Sequence, residues 1–372
     1  MKFSIKKNLL LENLSYVIKA ISPKNIIPVL NGIKFELTKK GLELTASDSE
    51  VIDQTLIPKK DIEHIEKEGL AIIQSKYIID IIRKMPEDII NFDLIDDFKI
   101  MIYSEKNKYD LNCLNFNDYP AITFEESDNP ITIEGLLLKN IINQTAFAIS
   151  TQESRPLLTG VNFKIDGNNF DCIVTDSYRL AKKTIKLDSI VNEPINIVIP
   201  GRNLIEFDKI ISDSDPVNMH IFNNKIIFKY KNIIYKSNLL NGTYPDTSNL
   251  IPSEFSIIIN TKLNEFYDSV DRASLLTQNK DKNTVKMITN KNSLTVTSLS
   301  SELGKVEEYL IVDKNESEDI DISFSSKYML EALRSFEEDD ILILLNSDVK
   351  PIIIKSVTDE TLIQLILPIK TY

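Results

Sequence analysis

The stretch Ile27–Phe35, IPVLNGIKF, recurs 128 residues later as Arg155–Phe163, RPLLTGVNF, with Pro, Leu, Gly and Phe at the same positions. The same shift places Ala46–Ser49 on Val174–Ser177 without a gap. Two further coincidences are Tyr119-Pro120 with Tyr244-Pro245, at a shift of 125, and Ser75-Lys76-Tyr77 with Ser326-Lys327-Tyr328, at a shift of 251. Recurrence at a fixed period is the mark of a repeat architecture. The 372 residues therefore divide into three units of about 124 residues each.

Each unit carries two stretches in which apolar residues recur every three or four positions, which predicts amphipathic helices. The predicted helices span 7–21, 76–84, 138–150, 202–211, 262–275 and 327–336. Runs between them, such as Ile33–Leu37, Leu42–Thr45 and Val161–Ile165, alternate apolar and polar residues and predict half-buried strands. The pairs Asn168-Asn169, Asn223-Asn224 and Lys291-Asn292 predict hairpin turns. The expected fold class is α+β, with helices and antiparallel sheets in three repeated domains.

The expected domains are 1–126, 127–253 and 254–372, with joints at Glu125–Asn129 and Pro252–Glu254. Repeats of this kind contain many strand edges, and a folded protein has to cover them. Closure of the units into a ring and stacking of the units into a solenoid would both do so.

The residues that catalytic and metal sites use are scarce. All nine glycines stand far apart, so the sequence contains no phosphate-binding loop of the Rossmann or P-loop kind. His64, His220, Cys113 and Cys172 are scattered, whereas a zinc site needs ligands at short spacing. We therefore expect no metal, no cofactor and no catalysis.

Other polar patterns also have an ordinary structural interpretation. Ser177 with Asp176 could form a nucleophilic site, but neither histidine is near in sequence, and a Ser-Asp pair is typical of a hydrogen-bonded turn. The acidic pairs Asp96-Asp97, Glu337-Glu338 and Asp339-Asp340 are typical of solvated loops. His64 is expected at the surface and His220 in a strand.

The sequence also indicates a soluble protein of the cytoplasm. Its longest stretch without a charge, Asn140–Gln152, is too short and too polar to cross a bilayer. No small-residue cleavage site follows the basic start of the chain, so a signal peptide is not expected. Two cysteines fit a reducing compartment.

The net charge of −12, from 43 basic and 55 acidic residues, argues against bulk binding of nucleic acid. The six predicted helices nevertheless sum to +4, which leaves −16 for the rest of the chain. Short segments can differ by one or two charges through chance alone. The alternative is that the helices face a polyanion. Its phosphates would then meet Lys7, Lys19, Lys24, Lys76, Arg83, Lys84, Lys139, Arg202, Lys327 and Arg334.

Several longer segments resemble one known family, the bacterial DNA polymerase III beta subunits, which are sliding clamps. The resemblance is carried by Glu153–Val161 (ESRPLLTGV), Thr175–Ala181 (TDSYRLA) and the tail Gln364–Tyr372 (QLILPIKTY), with Ile199–Leu204, Asn241–Pro245, Arg272–Leu276 and Glu302–Glu308. It covers essentially the full length. It implies a head-to-tail homodimer in which two chains of three clamp domains form a six-domain ring, with helices inside and sheets outside.

The resemblance also implies the function and the partners. A clamp of this family encircles double-stranded DNA without sequence preference and tethers the replicative DNA polymerase catalytic subunit, which makes it a non-catalytic processivity subunit. The clamp loader and other polymerases and repair proteins bind the same way, through a peptide of the pattern Gln-Leu-x-Leu-Phe. Apolar walls would hold the peptide's Leu and Phe, and Arg179 would orient its polar end.

The resemblance assigns three sets of residues. The partner-peptide pocket comprises Leu158, Thr175, Tyr178, Arg179, Leu180, Pro252, Leu365, Leu367, Pro368, Ile369 and Lys370. The residues that would contact DNA are Lys24, Gln152 and Arg202, the last at the start of an inner helix. The charge pattern adds Arg83 and Lys84. The dimer interface would set Tyr109 and Leu111 of one subunit against Leu275 and Leu276 of the other. Two positions depart from the family: Ser177 stands where many members have Gly, and Lys370 where some have Arg, whose planar fork a lysine lacks.

Three alternatives stay open. A leucine-rich tail is by itself typical of a final core strand, and only the resemblance favours a pocket. The whole chain could be a repeat-built protein-binding scaffold that does not encircle DNA. A hydrolase that uses carboxylates ranks third.

Overall fold

The computed structural model describes residues 1–22, 25–277 and 283–370. Each third of the chain has two helices where the apolar stripes predict them. They are α1 Lys7–Val17, α2 Ser75–Lys84, α3 Gly135–Thr145, α4 Gly201–Asp208, α5 Leu263–Ser274 and α6 Ser326–Leu333. The stripes 7–21 and 138–150 end in 3₁₀ turns, Ile18–Ala20 after α1 and Ala146–Ala148 after α3.

Strands make up most of the remaining chain. The first third has β1 Lys2–Lys6, β2 Gly32–Thr38, β3 Gly41–Ser47, β4 Val51–Pro58, β5 His64–Lys67, β6 Gly69–Gln74, β7 Ile89–Asp96, β8 Lys99–Tyr103 and β9 Lys108–Asn112. The second has β10 Ile131–Glu134, β11 Gly160–Thr175, β12 Arg179–Pro200, β13 Pro216–Ile221, β14 Lys225–Tyr230 and β15 Ile233–Asn238. The last has β16 Ile257–Lys262, β17 Thr284–Asn290, β18 Ser293–Ser300, β19 Gly304–Ile311, β20 Asp313–Lys314, β21 Asp321–Ser325, β22 Asp340–Leu345, β23 Ile352–Ser356 and β24 Leu362–Ile366.

The named strands of the described residues pair antiparallel throughout, which confirms the α+β class. Their four sheets have the orders β5-β1-β7-β8-β9, β10-β13-β14-β15-β4-β3-β2-β6, β11-β12-β24-β23-β22-β16-β20 and β19-β18-β17-β21. Two pairings join successive thirds of the chain in one sheet, β4 with β15 and β12 with β24.

These shared sheets divide the chain into two compact units. One comprises Met1–Leu137 with Glu206–Leu239 and holds the five- and eight-stranded sheets. The other comprises Leu138–Ile205 with Leu240–Tyr372 and holds the seven- and four-stranded sheets. The second third thus contributes strands to both units. The boundaries 1–126, 127–253 and 254–372 stay a prediction.

Local sequence explains the elements. In β2, Ile33, Phe35 and Leu37 are buried while the alternate residues are partly exposed, as the period of two requires. In α2, Ile78 and Ile82 are buried, at the spacing that places side chains on one face of a helix. The predicted strands at 33–37, 42–45 and 161–165 are confirmed.

One of the three predicted turns is wrong. Asn168-Asn169 lies inside β11, whose pairing with β12 resumes at Asn169↔Lys186 after an irregularity at Gly167. Gly167 has φ +59, which a residue without Cβ adopts at little cost, so the strand bulges there and continues. The turns at Asn223-Asn224 and Lys291-Asn292 lie between β13 and β14 and between β17 and β18, and are confirmed.

Asp53 on β4 is a buried carboxylate. Among the residues that the structure describes, neither of its oxygens has a hydrogen-bond partner. Burial raises the pKa of Asp53 to about 7, and the charge of Lys19 opposes that effect. In an unfolded chain the aspartate pKa is near 4. Between pH 4 and pH 7 the folded protein therefore keeps a proton that the unfolded chain has lost, and stability falls as the pH rises through this window.

We therefore predict that Asp53→Asn stabilises the protein at pH 8 and changes little at pH 4. The gain at pH 8 is at most roughly 4 kcal/mol, from a shift of about three pKa units at 1.36 kcal/mol each. Thermal melting at both pH values measures it, with Asp61→Asn, at an exposed position, as the control. An equal gain at both pH values would contradict the assignment of the pH dependence to Asp53.

Candidate partner-binding site

A buried apolar cluster lies where β11, β12 and β24 meet. Its members are Leu158, Ile173, Leu180, Val198, Tyr244, Leu344, Ile353 and Leu365, and the partly buried Leu157, Leu240, Ile251, Phe255, Leu342 and Ile363 pack against it. Three of the predicted pocket residues, Leu158, Leu180 and Leu365, therefore belong to one cluster. Leu180 and Leu365 are direct partners in the β12–β24 ladder. The predicted Pro252 follows Ile251 and is half-buried.

A tight turn at Thr175–Arg179 forms one border of this cluster. Asp176 Oδ1 accepts hydrogen bonds from the backbone N–H groups of Tyr178 (2.8 Å) and Arg179 (3.0 Å). The Thr175 hydroxyl accepts from the Ser177 N–H at 3.2 Å and donates to the Arg179 carbonyl at 2.6 Å. These bonds define the shape of the turn, and Tyr178 within it is 56% exposed.

The same turn occurs 128 residues earlier. Asp48 Oδ1 accepts from the N–H groups of Glu50 (3.1 Å) and Val51 (2.9 Å). Both turns carry a serine at positive φ, Ser49 at 78° and Ser177 at 80°. Ser177 is thus part of a repeated hydrogen-bonded turn, as its sequence context predicts.

The tail forms the opposite border. Leu365 and Ile366 are buried in β24, whereas Leu367 is 38% exposed, Pro368 and Ile369 are half-buried and Lys370 is exposed. The Leu367 N–H donates to the Tyr178 carbonyl at 2.9 Å, and the Ile369 N–H donates to the Ser323 carbonyl at 2.7 Å. The tail is therefore a core strand up to Ile366 and a surface segment beyond it.

Arg179 lies beneath this border rather than at its surface, with only 7% of its area exposed. Nε donates to Asp176 Oδ2 at 3.1 Å, Nη2 donates to the Phe147 carbonyl at 2.7 Å, and Nη1 pairs with the Glu331 carboxylate. The guanidinium also lies over the rings of Tyr328 (4.5 Å) and Phe147 (5.3 Å). Each of its nitrogens therefore donates within the chain. Glu331, Tyr328 and Phe147 were not among the predicted pocket residues.

The predicted DNA-contacting residues of the described chain are all exposed. Arg83 and Lys84 are in the last turn of α2, which belongs to one compact unit. Arg83 Nη1 lies 3.8 Å from Asp80 Oδ1. Gln152 and Arg202, the latter at the start of α4, belong to the other unit. Lys24 lies outside the described residues.

Lys7 and Arg334 are further predicted cations, and both donate hydrogen bonds within the chain. Lys7 Nζ donates to the Met85 carbonyl at 2.5 Å, and Arg334 donates through Nε to the Tyr267 hydroxyl at 2.8 Å. These two are less available to phosphates than the charge pattern suggested.

Of the predicted dimer residues, Tyr109 and Leu111 lie on an edge strand, whereas Leu275 and Leu276 directly follow α5. β9, with the half-buried Tyr109 and Leu111, is the last strand of the five-stranded sheet, and β19 is the last strand of the four-stranded sheet. Leu275 is 60% exposed, and Leu276 lines a cavity of about 560 Å³ that reaches Leu299. Sequence reasoning missed the exposed Leu299, Tyr309 and Ile311. In β18, apolar residues alternate with Ser and Thr, a pattern that is typical of a half-buried strand and does not indicate an interface.

The comparisons with known proteins cover this whole chain. Family models of the DNA polymerase III beta subunit match it in three parts: the N-terminal domain at 1–123, the central domain at 132–246 and the C-terminal domain at 248–370. The chain belongs to the DNA polymerase III beta subunit family. It is 40% identical to the beta sliding clamp of Bacillus subtilis, over 100% of both chains.

Solved structures agree with this membership. The crystal structure of the sliding clamp from Bacillus subtilis superimposes with a TM-score of 0.97 at 38% identity. That of the DNA polymerase III beta chain from Streptococcus pneumoniae does so with a TM-score of 0.96 at 34% identity. Both comparisons cover 100% of each chain. The chain therefore has the three-domain clamp fold and is a non-catalytic subunit.

The two thiols and the His220 ring of this chain have structural surroundings. Burial raises the pKa of Cys113 to about 11 and that of Cys172 to about 12, so both thiols stay protonated and unreactive. His220 is in β13, as predicted, and its Nδ1 accepts from the Ser127 N–H at 2.9 Å. Within the described ranges, no group of three or more His, Cys, Asp or Glu residues is placed to hold a metal. The helices of the described chain include none long and apolar enough to cross a membrane.

The departure at Ser177 has a structural reason. A φ of 80° is in the left-handed region, where glycine has no steric cost and other residues do. A glycine would therefore adopt this backbone conformation at lower cost than Ser177 does. Here the Arg155 guanidinium donates to Ser177 Oγ at 2.9 Å, a bond that glycine could not accept.

The first third of the chain repeats the hydrogen-bonded turn of the site, but the strand beside that turn has a different ladder partner. Ile52 stands 128 residues before Leu180, yet its ladder partner on β15 is Lys236, where Leu180 has Leu365. Burial and the charge of Lys225 lower the pKa of Lys236. The first occurrence of the motif therefore has a lysine as ladder partner where the second has a leucine.

Proposed function

We propose that two copies of this sliding clamp close head to tail into a six-domain ring around duplex DNA, and that partners bind at the Leu158–Leu180–Leu365 cluster. The full-length match to three clamp domains is the observation that carries the proposal. The ring tethers a replicative polymerase to its template, and processivity follows from that link.

The partner site fits a short apolar peptide. The cluster supplies apolar walls, while the Tyr178 ring and the segment Leu367–Ile369 supply a partly exposed border. Burial of a Leu and a Phe side chain is worth roughly 1.5–3 kcal/mol each. A Gln-Leu-x-Leu-Phe peptide from the polymerase, the clamp loader or a repair protein would gain most of its affinity from these two contacts.

Contact with DNA is proposed to be weak and independent of sequence. Lys24, Arg83, Lys84, Gln152 and Arg202 would meet phosphates without reading bases. Such contacts weaken as salt rises and leave a protein free to slide. The acidic remainder of the chain would disfavour binding of DNA outside the ring.

Ring closure is proposed to use the two sheet edges. An edge strand presents unpaired N–H and C=O groups that a further strand can satisfy. β9 of one copy and β19 of the other supply such edges, and each lies beside residues of the predicted interface. Addition of one edge to the other would also cover the exposed Tyr309 and Ile311.

We predict that replacing Leu275 and Leu276 with Ala converts the dimer into monomers, because it removes apolar area from both of the interfaces that close the ring. Sedimentation or light scattering should give about 85 kDa for the unchanged protein, twice the 42.5 kDa chain, and one chain for the variant. The control replaces Leu136 and Leu250, also exposed, with Ala and should stay dimeric.

A monomeric unchanged protein would contradict the ring and favour a scaffold that does not encircle DNA. A variant that stays dimeric would contradict only the assignment of Leu275 and Leu276. Cytoplasmic location is proposed on the family membership and the two free, buried cysteines.

A further inference from the structure

We propose that Glu331 is a positioning residue for the partner site: by pairing with Arg179 it holds the Thr175–Arg179 turn in the shape that accepts a peptide. The inference rests on the proposed function of this site. Glu331 is on α6, outside the set of predicted pocket residues, and 152 residues from Arg179 in sequence.

Arg179 is a buried charge that needs partners within the protein. Removing a guanidinium from water costs several kcal/mol unless charges and hydrogen bonds replace the water. Here Asp176, Glu331 and the Phe147 carbonyl replace it, and the Tyr328 and Phe147 rings cover its faces. Only Asp176 belongs to the same turn as Arg179. The Arg179 side chain therefore attaches the turn to α6 through Glu331 and to the Ala146–Ala148 3₁₀ turn through Phe147, in addition to the strand pairing of β12 with β11 and β24.

The turn that Arg179 anchors is hydrogen-bonded to the tail that borders the peptide site. The carbonyl of Tyr178, next to Arg179, accepts the Leu367 N–H that fixes the start of the exposed tail. Arg179 itself pairs with Ile366 at the end of β24. A guanidinium released from Glu331 would loosen the turn, and with it both borders of the site, Tyr178 and Leu367.

The Arg179 guanidinium is placed to hold the turn and not to contact a peptide directly. The Arg179 guanidinium is buried and all three of its nitrogens donate within the chain, so it has little surface to offer a peptide. Its effect on binding therefore passes through the turn that it anchors. Glu331 shares that effect because it supplies the partner charge, and a glutamine there keeps the shape but removes the charge.

The test measures binding of a fluorescein-labelled peptide, Gln-Leu-Ser-Leu-Phe, to the full-length dimer by anisotropy. Glu331→Gln is expected to weaken binding roughly tenfold, because the buried Arg179 guanidinium loses the charge of its partly exposed partner. Glu337→Gln, which removes the same charge from an exposed position after α6, is the matched control and should leave affinity unchanged. Unchanged peptide affinity of the Glu331→Gln protein would overturn the proposal. Higher affinity would overturn it too, because it would show that Arg179, released from Glu331, contacts the peptide directly.

A double-mutant cycle with Arg179→Lys excludes a merely structural effect. The lysine ammonium is a single point charge and cannot span Asp176, Glu331 and the Phe147 carbonyl together. Glu331→Gln should then cost little further affinity in the Arg179→Lys protein. An equal loss in both backgrounds would show that Glu331 acts only on the stability of α6 and would overturn the proposal. If the unchanged protein failed to bind the peptide, the proposed function would fail instead.

Discussion

A chain that ends at Ile366 is expected to keep its fold and to lose its affinity for a Gln-Leu-Ser-Leu-Phe peptide, by roughly 100-fold or about 2.7 kcal/mol. The truncation removes Leu367, Pro368 and Ile369, which form one border of the apolar site. It cuts two backbone hydrogen bonds, Leu367 to Tyr178 and Ile369 to Ser323, and leaves the β24 pairing intact. The peptide would face an open side where its apolar residues stay in water.

The end point of the truncation matters. Leu365 and Ile366 are 3% and 0% exposed, so a chain cut before them would lose core packing as well as the site. Removal of a large buried aliphatic side chain lowers the free energy of unfolding by roughly 2–5 kcal/mol. A chain that ends at Ile369 is the control, since it keeps the border and loses only Lys370 and the two residues after it.

Anisotropy with the labelled peptide gives the affinity, and thermal melting with the dimer mass shows whether the fold survives. The Ile369 chain should bind within a few-fold of the full-length protein. Equal binding by the chain that ends at Ile366 would contradict the assignment of the tail to the partner site. Loss of binding together with loss of the dimer would instead show that Leu367–Ile369 are needed for folding.

The period of the sequence predicts much of this fold. It locates all six helices of the described chain and the strands near Ile33 and Val161, because local alternation determines which face of an element is buried. It fails at Asn168-Asn169, where a local turn signal competes with the long β11–β12 ladder. Pairing with a distant strand decided the outcome, and a bulge at Gly167 accommodates the irregularity.

Sheet partners are less accessible to sequence reasoning. β4 pairs with β15 and β12 with β24, each across more than a hundred residues, and no local pattern specifies them. These pairings make compact units that cut across the repeats. The sequence repeat therefore divides the chain into thirds, whereas strand pairing in the shared sheets divides it into two compact units.

The site divides in the same way. Leu158, Leu180 and Leu365 follow from resemblance to the family, and the structure brings them into one cluster. Glu331 and Phe147 escape sequence reasoning, because an ion pair across 152 residues leaves no periodic signal. The one available hint is that Arg179 stands where the first repeat has the apolar Val51. A charge at a position expected to be buried indicates a partner, though not which one.

A second large effect is expected from DNA topology. Clamps loaded on nicked circular duplex by the clamp loader and ATP should stay bound for at least tenfold longer than on linear duplex of the same sequence, because a closed ring leaves only by opening, whereas a ring on linear DNA slides off the ends. Gel filtration of the DNA fraction, followed over time, measures retention. Cutting the circle at one site should release the protein.

Two comparisons separate retention by encirclement from retention by charge. Raising the salt weakens phosphate contacts, so a protein held by Lys and Arg side chains would leave circles and linear DNA alike. A ring should stay on the circle, since a net charge of −12 leaves little electrostatic attraction to lose. Linear DNA with a bulky protein bound at both ends should retain the clamp as the circle does. Equal rates of loss from circular and linear duplex would contradict encirclement, and the peptide site would then belong to a scaffold beside the DNA instead of a ring around it.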